Sequence, residues 1–501
     1  MSADPSLDRA LTLARQGQIA AALNTLQGIT ATERPTAEAL DLQGDLLKAM
    51  GDLDLAVTVQ QRTTQLYPQR RSAWHNLAAT LGDAGRAEEA EVAARRTFTV
   101  GPAAPETWLV LGRALQSQAR YEDAESAFQS ALALRPGYVE AHRDLAQLRW
   151  MRTGKVERAL ASLDQALAGT PGEAGLVQVR ASILEFAGDP DGAYETVTAA
   201  LARDRANLHL KLAASSLALT LNRPGDALNH ALAVHRAAPA AGPTVLAPLI
   251  QALLGCDQLV DASALAGQWL AQAPDDQLAI ALQLTAWRAL GDGRYDAWVD
   301  YGTMVRPLVL ETPDGWASLP SFLKDLAVVL EGLHGLKAHP LHQSLRGGSQ
   351  TSQSLLRSQD PVLRAFFSSV QTAIRVYLAG LGPGSDPLRR RNNGDGAPQS
   401  AWSVRLTSGG SHTDHVHPKG WVSSAFYVAL PEAALSAGDQ AGWIRFGQPP
   451  FPLPSPQPAG RVVKPEAGQL VLFPSYLWHG VNPFQSDIPR LTIAFDILPR
   501  R

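Results

Sequence analysis

Three histidines near the C-terminal end of the chain have the residue type and spacing to bind a metal ion. His415 and His417 lie two residues apart in a strand-like stretch, so their side chains project from the same face. His479 comes much later in the sequence and can reach the other two only if a sheet folds back on itself. Neutral imidazole is a good ligand for iron, zinc or copper. The pattern therefore predicts a metal pocket inside a barrel of strands.

A carboxylate could replace one of these ligands. His412 and Asp414 also have ligand spacing, but in a regular strand they face away from His415 and His417, unless a bulge intervenes. We favour His415 and His417 because the residues that follow them are more clearly strand-like. Asp414 stays an alternative third ligand, or a hydrogen-bond acceptor for a ligand imidazole.

The last strand-like segment could bind an acidic ligand. Arg490 carries a planar guanidinium, the natural partner of a carboxylate, and Thr492 places a hydroxyl on the same side of the strand. The two groups can therefore converge on one carboxylate. Taken alone, Arg490 is equally well explained as a surface arginine near the basic C-terminal residues.

Four phrases of this region resemble a known family. They are Gly409–Trp421, Ser424–Val428, Leu472–Ser475 with the following His479, and Arg490–Phe495. Together they resemble a bacterial branch of the 2-oxoglutarate- and iron(II)-dependent oxygenases, many members of which carry tetratricopeptide repeats in front. The phrases cover about a fifth of the chain. The expected fold of this part is a double-stranded β-helix, of the jelly-roll or cupin-like type, with flanking helices.

The resemblance implies roles for individual residues. His415, His417 and His479 would bind Fe(II), and Arg490 with Thr492 would hold the distal carboxylate of 2-oxoglutarate. His417 departs from the wider superfamily, in which Asp or Glu is usual at the corresponding position.

Tyr427 is a further candidate, because its hydroxyl could reach the oxoacid. It is equally well explained as a core aromatic. The implied activity is that of a dioxygenase, which uses O2 and 2-oxoglutarate to hydroxylate a substrate and releases succinate. Two alternatives stay open: an interaction scaffold with a degenerate metal-binding barrel, and a cupin-like metalloenzyme that works without 2-oxoglutarate.

The first three hundred residues repeat with a period of 34. The repeated positions are Trp74 and Trp108, then Ala56, Ala90 and Ala124, then Pro68, Pro102 and Pro136. This period is typical of tetratricopeptide repeats, and it predicts an all-α solenoid of about eight units over residues 1–306. Such a surface usually binds an extended peptide or protein segment, so we expect a protein or peptide substrate docked by the repeats. A spacer or a dimerisation platform is the alternative.

Residues 307–501 are expected to form the oxygenase domain, with a helical lead-in over 307–382 and a β-helix core over 400–499. Strands are predicted at 403–406, 422–430, 443–446, 469–473 and 491–498. Gly347 and Gly348 predict a tight turn that either borders the pocket or packs the lead-in helices. The proline-rich segment 449–454 cannot join a central sheet and is expected to be a surface loop, and a possible lid, at the pocket mouth.

Composition excludes several classes of protein. The chain has 501 residues, a formal net charge of -3 and one cysteine, Cys256. The balanced charge favours neither nucleic acid nor an anionic membrane as a partner. A single cysteine fits a reducing compartment. Without a signal segment or a long apolar run, we expect a cytoplasmic location.

Overall fold

The computed structural model of the chain describes residues 5–239, 242–435 and 438–500. The described residues fall into two compact units, and the division lies between Leu148 and Arg149. This division falls inside a helix of the repeat region, Val139–Thr153. Among the described helices, none combines the length and the apolar character that crossing a lipid bilayer requires.

The repeat region consists of helices joined by short turns. Its described helices are α1 (Pro5–Arg15), α2 (Ile19–Thr30), α3 (Ala37–Ala49), α4 (Leu53–Leu66), α5 (Arg71–Asp83), α6 (Ala87–Val100), α7 (Pro105–Ser117), α8 (Tyr121–Leu134), α9 (Val139–Thr153), α10 (Val156–Gly169), α11 (Ala174–Phe186), α12 (Pro190–Arg203), α13 (Leu208–Thr220), α14 (Pro224–Ala237), α15 (Pro243–Gly255), α16 (Leu259–Gln272) and α17 (Gln277–Leu290). In the first unit, α3 packs on α4, α5 on α6 and α7 on α8. This pairwise packing agrees with the expected tetratricopeptide repeats.

The backbone keeps the period of the sequence. A residue with positive φ follows the first helix of each successive pair, at positions 17, 51, 85, 119, 154, 188, 222, 257 and 291. Such a left-handed residue commonly ends a helix, and it costs a residue with a Cβ atom about 1–2 kcal/mol. Glycine therefore occupies most of these positions. The exceptions are Ala119, Asn222 and Asp257.

Small side chains at the repeated positions let the paired helices approach closely. Ala56, Ala90 and Ala124 are fully buried. A Cβ atom added at Gly112 would lie 2.4 Å from a ring carbon of Phe128. The ring of Phe128 therefore fills the space that a side chain at residue 112 would need.

In the second unit, strands follow the repeats. The helical elements there are α18 (Arg294–Trp298), α19 (Tyr301–Met304), α20 (Leu319–Glu331), α21 (Pro361–Gly380) and α22 (Glu432–Leu435), with 3-10 turns at Leu355–Arg357 and Arg389–Arg391. The strands are β1 (Arg306–Val309), β2 (Leu345–Gln350), β3 (Gly396–His415), β4 (Val422–Ala429), β5 (Ile444–Phe446), β6 (Arg461–Val463), β7 (Gln469–Pro474), β8 (His479–Val481) and β9 (Arg490–Pro499).

The strands form one antiparallel sheet in the order β1-β7-β4-β9-β3-β8-β5-β6, with β2 added on β3. The long strand β3 serves two neighbours, because residues 396–406 pair with β9 and residues 412–415 pair with β8. The sheet thereby curls into a nearly closed barrel of the double-stranded β-helix type. This architecture confirms the predicted fold class: tetratricopeptide repeats followed by a β-helix domain with flanking helices.

The five predicted strands lie in β3, β4, β5, β7 and β9, but the sequence does not predict β1, β2, β6 or β8. Three of these four strands have only three or four residues. In β2, Gly347 has a φ of 66°, and a Cβ atom at Gly348 would lie 2.2 Å from the carbonyl oxygen of Arg405. The expected glycine turn is therefore a bulged strand packed tightly on β3.

The lead-in over 307–382 contains β1 and β2 as well as the two helices that were expected there. Strand β1 already begins at Arg306 and pairs with β7. A functional division of the chain at 306/307 stays a prediction.

Helix α17 packs the last repeat onto the strands within the second unit. Its residues 279–287 are all buried. Trp478 donates a hydrogen bond from Nε1 to Thr285 Oγ1 at 2.9 Å, and Arg288 Nη1 donates to the carbonyl oxygen of Gly447 at 2.8 Å. A helix that is buried on all sides belongs to the interior of a domain. The last repeat helix is therefore part of the core that supports the barrel.

The proline-rich segment 449–454 packs on the same helices. Phe451 is buried and meets Trp478 edge to face, with 6.0 Å between ring centroids. The carbonyl oxygen of Pro452 lies beside Gly255 at the end of α15. The segment lines none of the central cavity described below. It is an ordered loop anchored on the repeat helices, and the possible role as a lid stays a prediction.

The left-handed turns give a reciprocal test of backbone strain in the first unit. Ala119 has a φ of 59°, and Gly51 has a φ of 83° with open space around it. We expect Ala119→Gly to raise the free energy of unfolding by about 1 kcal/mol and Gly51→Ala to lower it by about the same amount. Urea unfolding of the full chain, followed by circular dichroism, measures both. Shifts of the same sign in the two variants would contradict this explanation.

Candidate metal centre

Two of the histidines, His415 and His417, lie at and just after the end of β3 that pairs with β8. His415 pairs with His479 of β8, and the register shifts between His412 and His415. This irregularity places His412, His415 and His417 along one cavity, while Asp414 points away from it. The preference for His415 and His417 over Asp414 agrees with this geometry. His412 also reaches the cavity because a bulge intervenes, which is the exception that the sequence analysis allowed.

Three imidazoles converge on one point. One ring nitrogen from each of His415, His417 and His479 lies within 4.8 Å of the others. Nε2 of His415 and Nε2 of His417 are 3.2 Å apart. Ligands at right angles with bonds of about 2.1 Å would lie about 3.0 Å apart. The spacing therefore fits two ligands of one transition-metal ion.

The other nitrogen of each ring is held by a protein acceptor. Nδ1 of His415 lies 2.9 Å from the carbonyl oxygen of Thr413, and Nδ1 of His479 lies 2.9 Å from that of Leu477. Nδ1 donates in both cases, because a carbonyl oxygen can only accept. The lone pairs of both rings are therefore on Nε2, which faces the centre.

Burial keeps these rings in the form that binds a metal. It lowers the pKa of His415 to about 3, and the neighbouring His417 adds to this shift. Burial also holds the pKa values of His479 and His412 well below their usual range. At neutral pH these imidazoles are uncharged, so no proton competes with a metal ion for the lone pair.

Asp414 has another partner. Its carboxylate receives two hydrogen bonds from Arg445, from Nε at 3.0 Å and from Nη2 at 2.7 Å. Burial raises the pKa of Asp414, and the Arg445 guanidinium opposes that rise. The geometry favours neither of the two roles that the sequence leaves open for Asp414. Its contact instead ties β3 to β5.

Asp496 is the carboxylate that the sequence analysis missed. Its Oδ1 accepts a hydrogen bond from His417 Nδ1 at 2.5 Å and another from Ser423 Oγ at 2.7 Å. A carboxylate behind a ligand imidazole orients the ring and makes its other nitrogen a stronger donor to metal. The alternation of residues in β9 could have identified Asp496. Arg490, Thr492 and Asp496 alternate with apolar residues and so face the same side of the strand.

The serine that immediately precedes β2 contacts two of the histidines at the cavity. Ser344 Oγ lies 2.9 Å from His412 Nδ1 and 3.3 Å from His415 Nε2. The segment around Gly347 and Gly348 therefore borders the pocket, which is one of the two roles expected for it. His412 joins the cavity wall through the same serine.

Arg490 is buried at the cavity wall without a carboxylate partner among the described residues. It is 2% exposed and donates from Nη1 to the carbonyl oxygen of Gly442 at 2.7 Å. Its Nε is enclosed and has no hydrogen-bond partner in the described part of the chain. A buried guanidinium needs a compensating acceptor. An acidic ligand in the cavity would supply one.

Thr492 and Tyr427 lie next to Arg490 in different ways. Thr492 lines the cavity, and its hydroxyl lies 3.4 Å from the carbonyl oxygen of Val404. Tyr427 lies under the guanidinium, whose carbon is 5.0 Å from the ring centroid. The Tyr427 hydroxyl is buried, and burial raises its pKa, which the neighbouring Arg490 guanidinium opposes. Tyr427 therefore supports Arg490 from behind the cavity wall.

The cavity has a volume of about 660 Å³ and contains the three imidazoles, Arg490 and Thr492. That volume is within the range of small-molecule sites, about 300–1,000 Å³. Neutral imidazoles suit iron(II), and an unpaired buried guanidinium suits a carboxylate. The residues present therefore fit both Fe(II) and 2-oxoglutarate.

Two family models match the chain. Residues 400–496 match the family described as "Putative 2OG-Fe(II) oxygenase", and residues 109–174 match a model described as "Tetratricopeptide repeat". The chain thus combines a tetratricopeptide-repeat region with a 2OG-Fe(II) oxygenase domain that contains the triad His415, His417 and His479. The family resemblance seen in the sequence is confirmed.

Solved structures of repeat proteins are also similar to parts of the chain. One is MamA 41-end from Desulfovibrio magneticus RS-1, with 22% sequence identity, a TM-score of 0.31 and coverage of 34% of this chain and 94% of that one. Another is a tetratricopeptide repeat protein from Parabacteroides merdae ATCC 43184, with 15% identity, a TM-score of 0.35 and coverage of 49% and 96%. No curated protein matches the chain.

Substitution of the ligands separates the triad from Asp414. We expect His415→Ala, His417→Ala and His479→Ala each to abolish tight Fe(II) binding, because each change removes one of the three imidazole nitrogens. Asp414→Asn should keep the Fe(II) affinity within about threefold, since residue 414 points away from the centre. Anaerobic calorimetric titration measures both. His209→Ala, at an exposed histidine, is the matched control. Loss of Fe(II) binding in Asp414→Asn alone would overturn this ligand set.

Asp496 can be tested by removing its charge. We expect Asp496→Asn to weaken Fe(II) binding about 10- to 100-fold, because the amide is a poorer acceptor for His417 Nδ1. Asp487→Asn changes an exposed carboxylate shortly before β9 and should leave the Fe(II) affinity unchanged. The same titration serves as the measurement. An unchanged affinity in Asp496→Asn would mean that this hydrogen bond does not act on the metal.

Proposed function

We propose that this protein is an iron(II)- and 2-oxoglutarate-dependent hydroxylase that acts on a protein or peptide segment. The observation that carries the proposal is the placement of three convergent imidazoles and one unpaired buried guanidinium in the same cavity. A metal-binding barrel without an oxoacid would leave the buried charge of Arg490 uncompensated.

The three histidines have the task of holding Fe(II). His415 and His479 are fixed by backbone carbonyls, and His417 is fixed by Asp496. An Asp or Glu ligand would bring a negative charge directly to the metal. Here the negative charge of Asp496 lies behind the ring of His417, at the other end of a hydrogen bond. We propose that this pair replaces the carboxylate ligand usual in the wider superfamily.

Arg490 and Thr492 are proposed to hold the distal carboxylate of 2-oxoglutarate. The Arg490 guanidinium lines the cavity with no carboxylate partner among the described residues, and Thr492 lies on the same side of β9. Tyr427 keeps the guanidinium in place from below. The oxoacid is thereby oriented with its keto acid end toward the histidines.

When bound there, Fe(II) and 2-oxoglutarate supply the oxidation: O2 takes two electrons from the oxoacid, which becomes succinate and CO2, and two from a substrate C–H bond, which becomes C–OH. The protein contributes orientation and exclusion of water. The apolar part of the cavity wall, which includes Trp402, Phe473 and Ile444, keeps water from the reacting groups.

The repeats support a protein or peptide as substrate. Phe186, the last residue of α11, belongs to the repeat region and also lines the cavity. A segment held along the repeats in the second unit would therefore have direct access to the site. We propose that the repeats dock the substrate and contribute to the wall against which it reacts.

The decisive experiment is succinate formation by the purified, iron-loaded chain without added substrate. Many oxidations of this kind consume the oxoacid slowly on their own, so we expect succinate to accumulate in proportion to the iron-loaded fraction. The His479→Ala variant is the control and should form none. Fe(II) binding without any 2-oxoglutarate binding or turnover would favour a scaffold or a metalloenzyme of another kind.

Arg490 gives a specific prediction. We expect Arg490→Gln to raise the KM for 2-oxoglutarate at least tenfold, because a hydrogen-bonded ion pair of about 1.5–3 kcal/mol is lost. Succinate formation against oxoacid concentration measures the change. Arg405→Gln removes a more exposed guanidinium on the neighbouring strand β3 and should leave this KM unchanged. An equal KM in both variants would exclude Arg490 as the carboxylate partner.

A further inference from the structure

Arg346 lies on the wall of the same cavity, next to the metal centre. It is the second residue of β2, two positions after Ser344, whose hydroxyl contacts His412 and His415. Two residues of extended chain span about 7 Å. Arg346 and Ser344 both line the cavity and lie on the same side of the extended chain.

Phe186 of the repeat region fixes the plane of this guanidinium. The Arg346 guanidinium carbon lies 4.6 Å from the centroid of the Phe186 ring, and His342 meets the same ring edge to face at 5.1 Å. Stacking uses the face of a guanidinium and leaves its edges free to donate. Phe186 thus orients Arg346 without using its donors.

Only one part of the Arg346 guanidinium is occupied. Nη1 donates to the carbonyl oxygens of Gln343 at 2.7 Å and of Leu345 at 2.9 Å. Nε and Nη2 have no partner among the described residues, and Arg346 forms no ion pair there. Nε and Nη2 together are a side of the guanidinium that binds a carboxylate through two parallel hydrogen bonds.

The charges around the cavity point the same way. Among the described residues that line it, Arg346, Lys419 and Arg490 are basic, and Asp496 is the one acidic residue. Asp496 is engaged by His417. Glu185, beside Phe186, acts on Arg346 through space, but its carboxylate accepts a hydrogen bond from Thr220 at 3.3 Å. After the oxoacid takes Arg490, positive charge remains for a second ligand.

We infer that Arg346 binds a carboxylate of the substrate, so that the hydroxylated segment is a peptide carrying Asp or Glu close to the reacting residue. Nε and Nη2 of Arg346 receive that carboxylate, and the exposed Lys419 adds a second positive charge at the cavity. This inference rests on the proposed oxygenase function and names its substrate class. Arg346 is a specificity-determining residue, separate from the oxoacid site at Arg490.

The test uses three pools of short peptides of random sequence, enriched in Asp and Glu, in Asn and Gln, or in Lys. Binding of fluorescein-labelled pools to the full-length protein is measured by fluorescence anisotropy, which needs no turnover. The stimulation of succinate formation and the gain of one oxygen atom in the peptide, by mass spectrometry, are measured in parallel. We expect that only the acidic pool binds to the protein and stimulates succinate formation.

Variants of Arg346 then locate the contact. We expect Arg346→Gln to weaken binding of the acidic pool at least tenfold and Arg346→Lys, which keeps the charge but not the paired donors, to weaken it less. The KM for 2-oxoglutarate and the substrate-free rate of succinate formation should stay within about twofold in both variants. Arg364→Gln, at an exposed arginine of α21, is the matched control and should bind normally.

Each other outcome overturns the inference. Equal binding of the neutral or the basic pool would do so, and so would free glutamate stimulating succinate formation as strongly as the acidic peptides, since the source would then be a small acid. A substrate-free rate that falls in Arg346→Lys would assign Arg346 a structural role through Ser344. If substrate-free turnover is absent in the unaltered protein, the oxygenase proposal fails. The anisotropy measurement still shows whether Arg346 binds acidic peptides.

Discussion

The metal centre depends on holding three imidazoles close together at the cavity wall. Nε2 atoms only 3.2 Å apart would repel each other if they carried protons or lone pairs without a shared metal ion. Their orientation persists because each Nδ1 is tied to an acceptor: the carbonyls of Thr413 and Leu477, and the carboxylate of Asp496. Burial then keeps His415 and His479 uncharged. The fixed orientation and the lost proton together make the cluster ready for a metal ion.

Strand pairing in β3 brings these acceptors into place. Residues 396–406 of β3 pair with β9 and residues 412–415 pair with β8, so one strand brings residues from both neighbours, including 479 and 496, close to residue 417. Arg445 closes the outer side by pairing with Asp414. Helix α17 and the anchored loop around Phe451 support this arrangement from the repeat side of the second unit. The repeats in this unit are therefore structural partners of the barrel.

Two guanidinium groups with different surroundings line the cavity. Arg490 is fully buried over Tyr427 and has one backbone acceptor, so it suits a small ligand that is enclosed completely. Arg346 is half-buried, is stacked on Phe186 and keeps one edge free. A cosubstrate and a substrate with separate acidic groups can therefore be recognised independently. Through Phe186, a repeat helix forms part of the cavity wall.

Sequence alone determined the repeat period, five of the strands and the three histidines that converge, because these depend on local periodicity and on residue chemistry. It also predicted that Arg490 and Thr492 face one side of a strand, and both line the cavity. Tertiary structure decided the rest. The side of the strand on which His412 lies depends on a bulge, the partner of His417 depends on which strands pair, and the roles of Phe186 and Arg346 depend on contacts between segments about 160 residues apart. Short strands such as β8 exist only because their neighbours supply the hydrogen bonds.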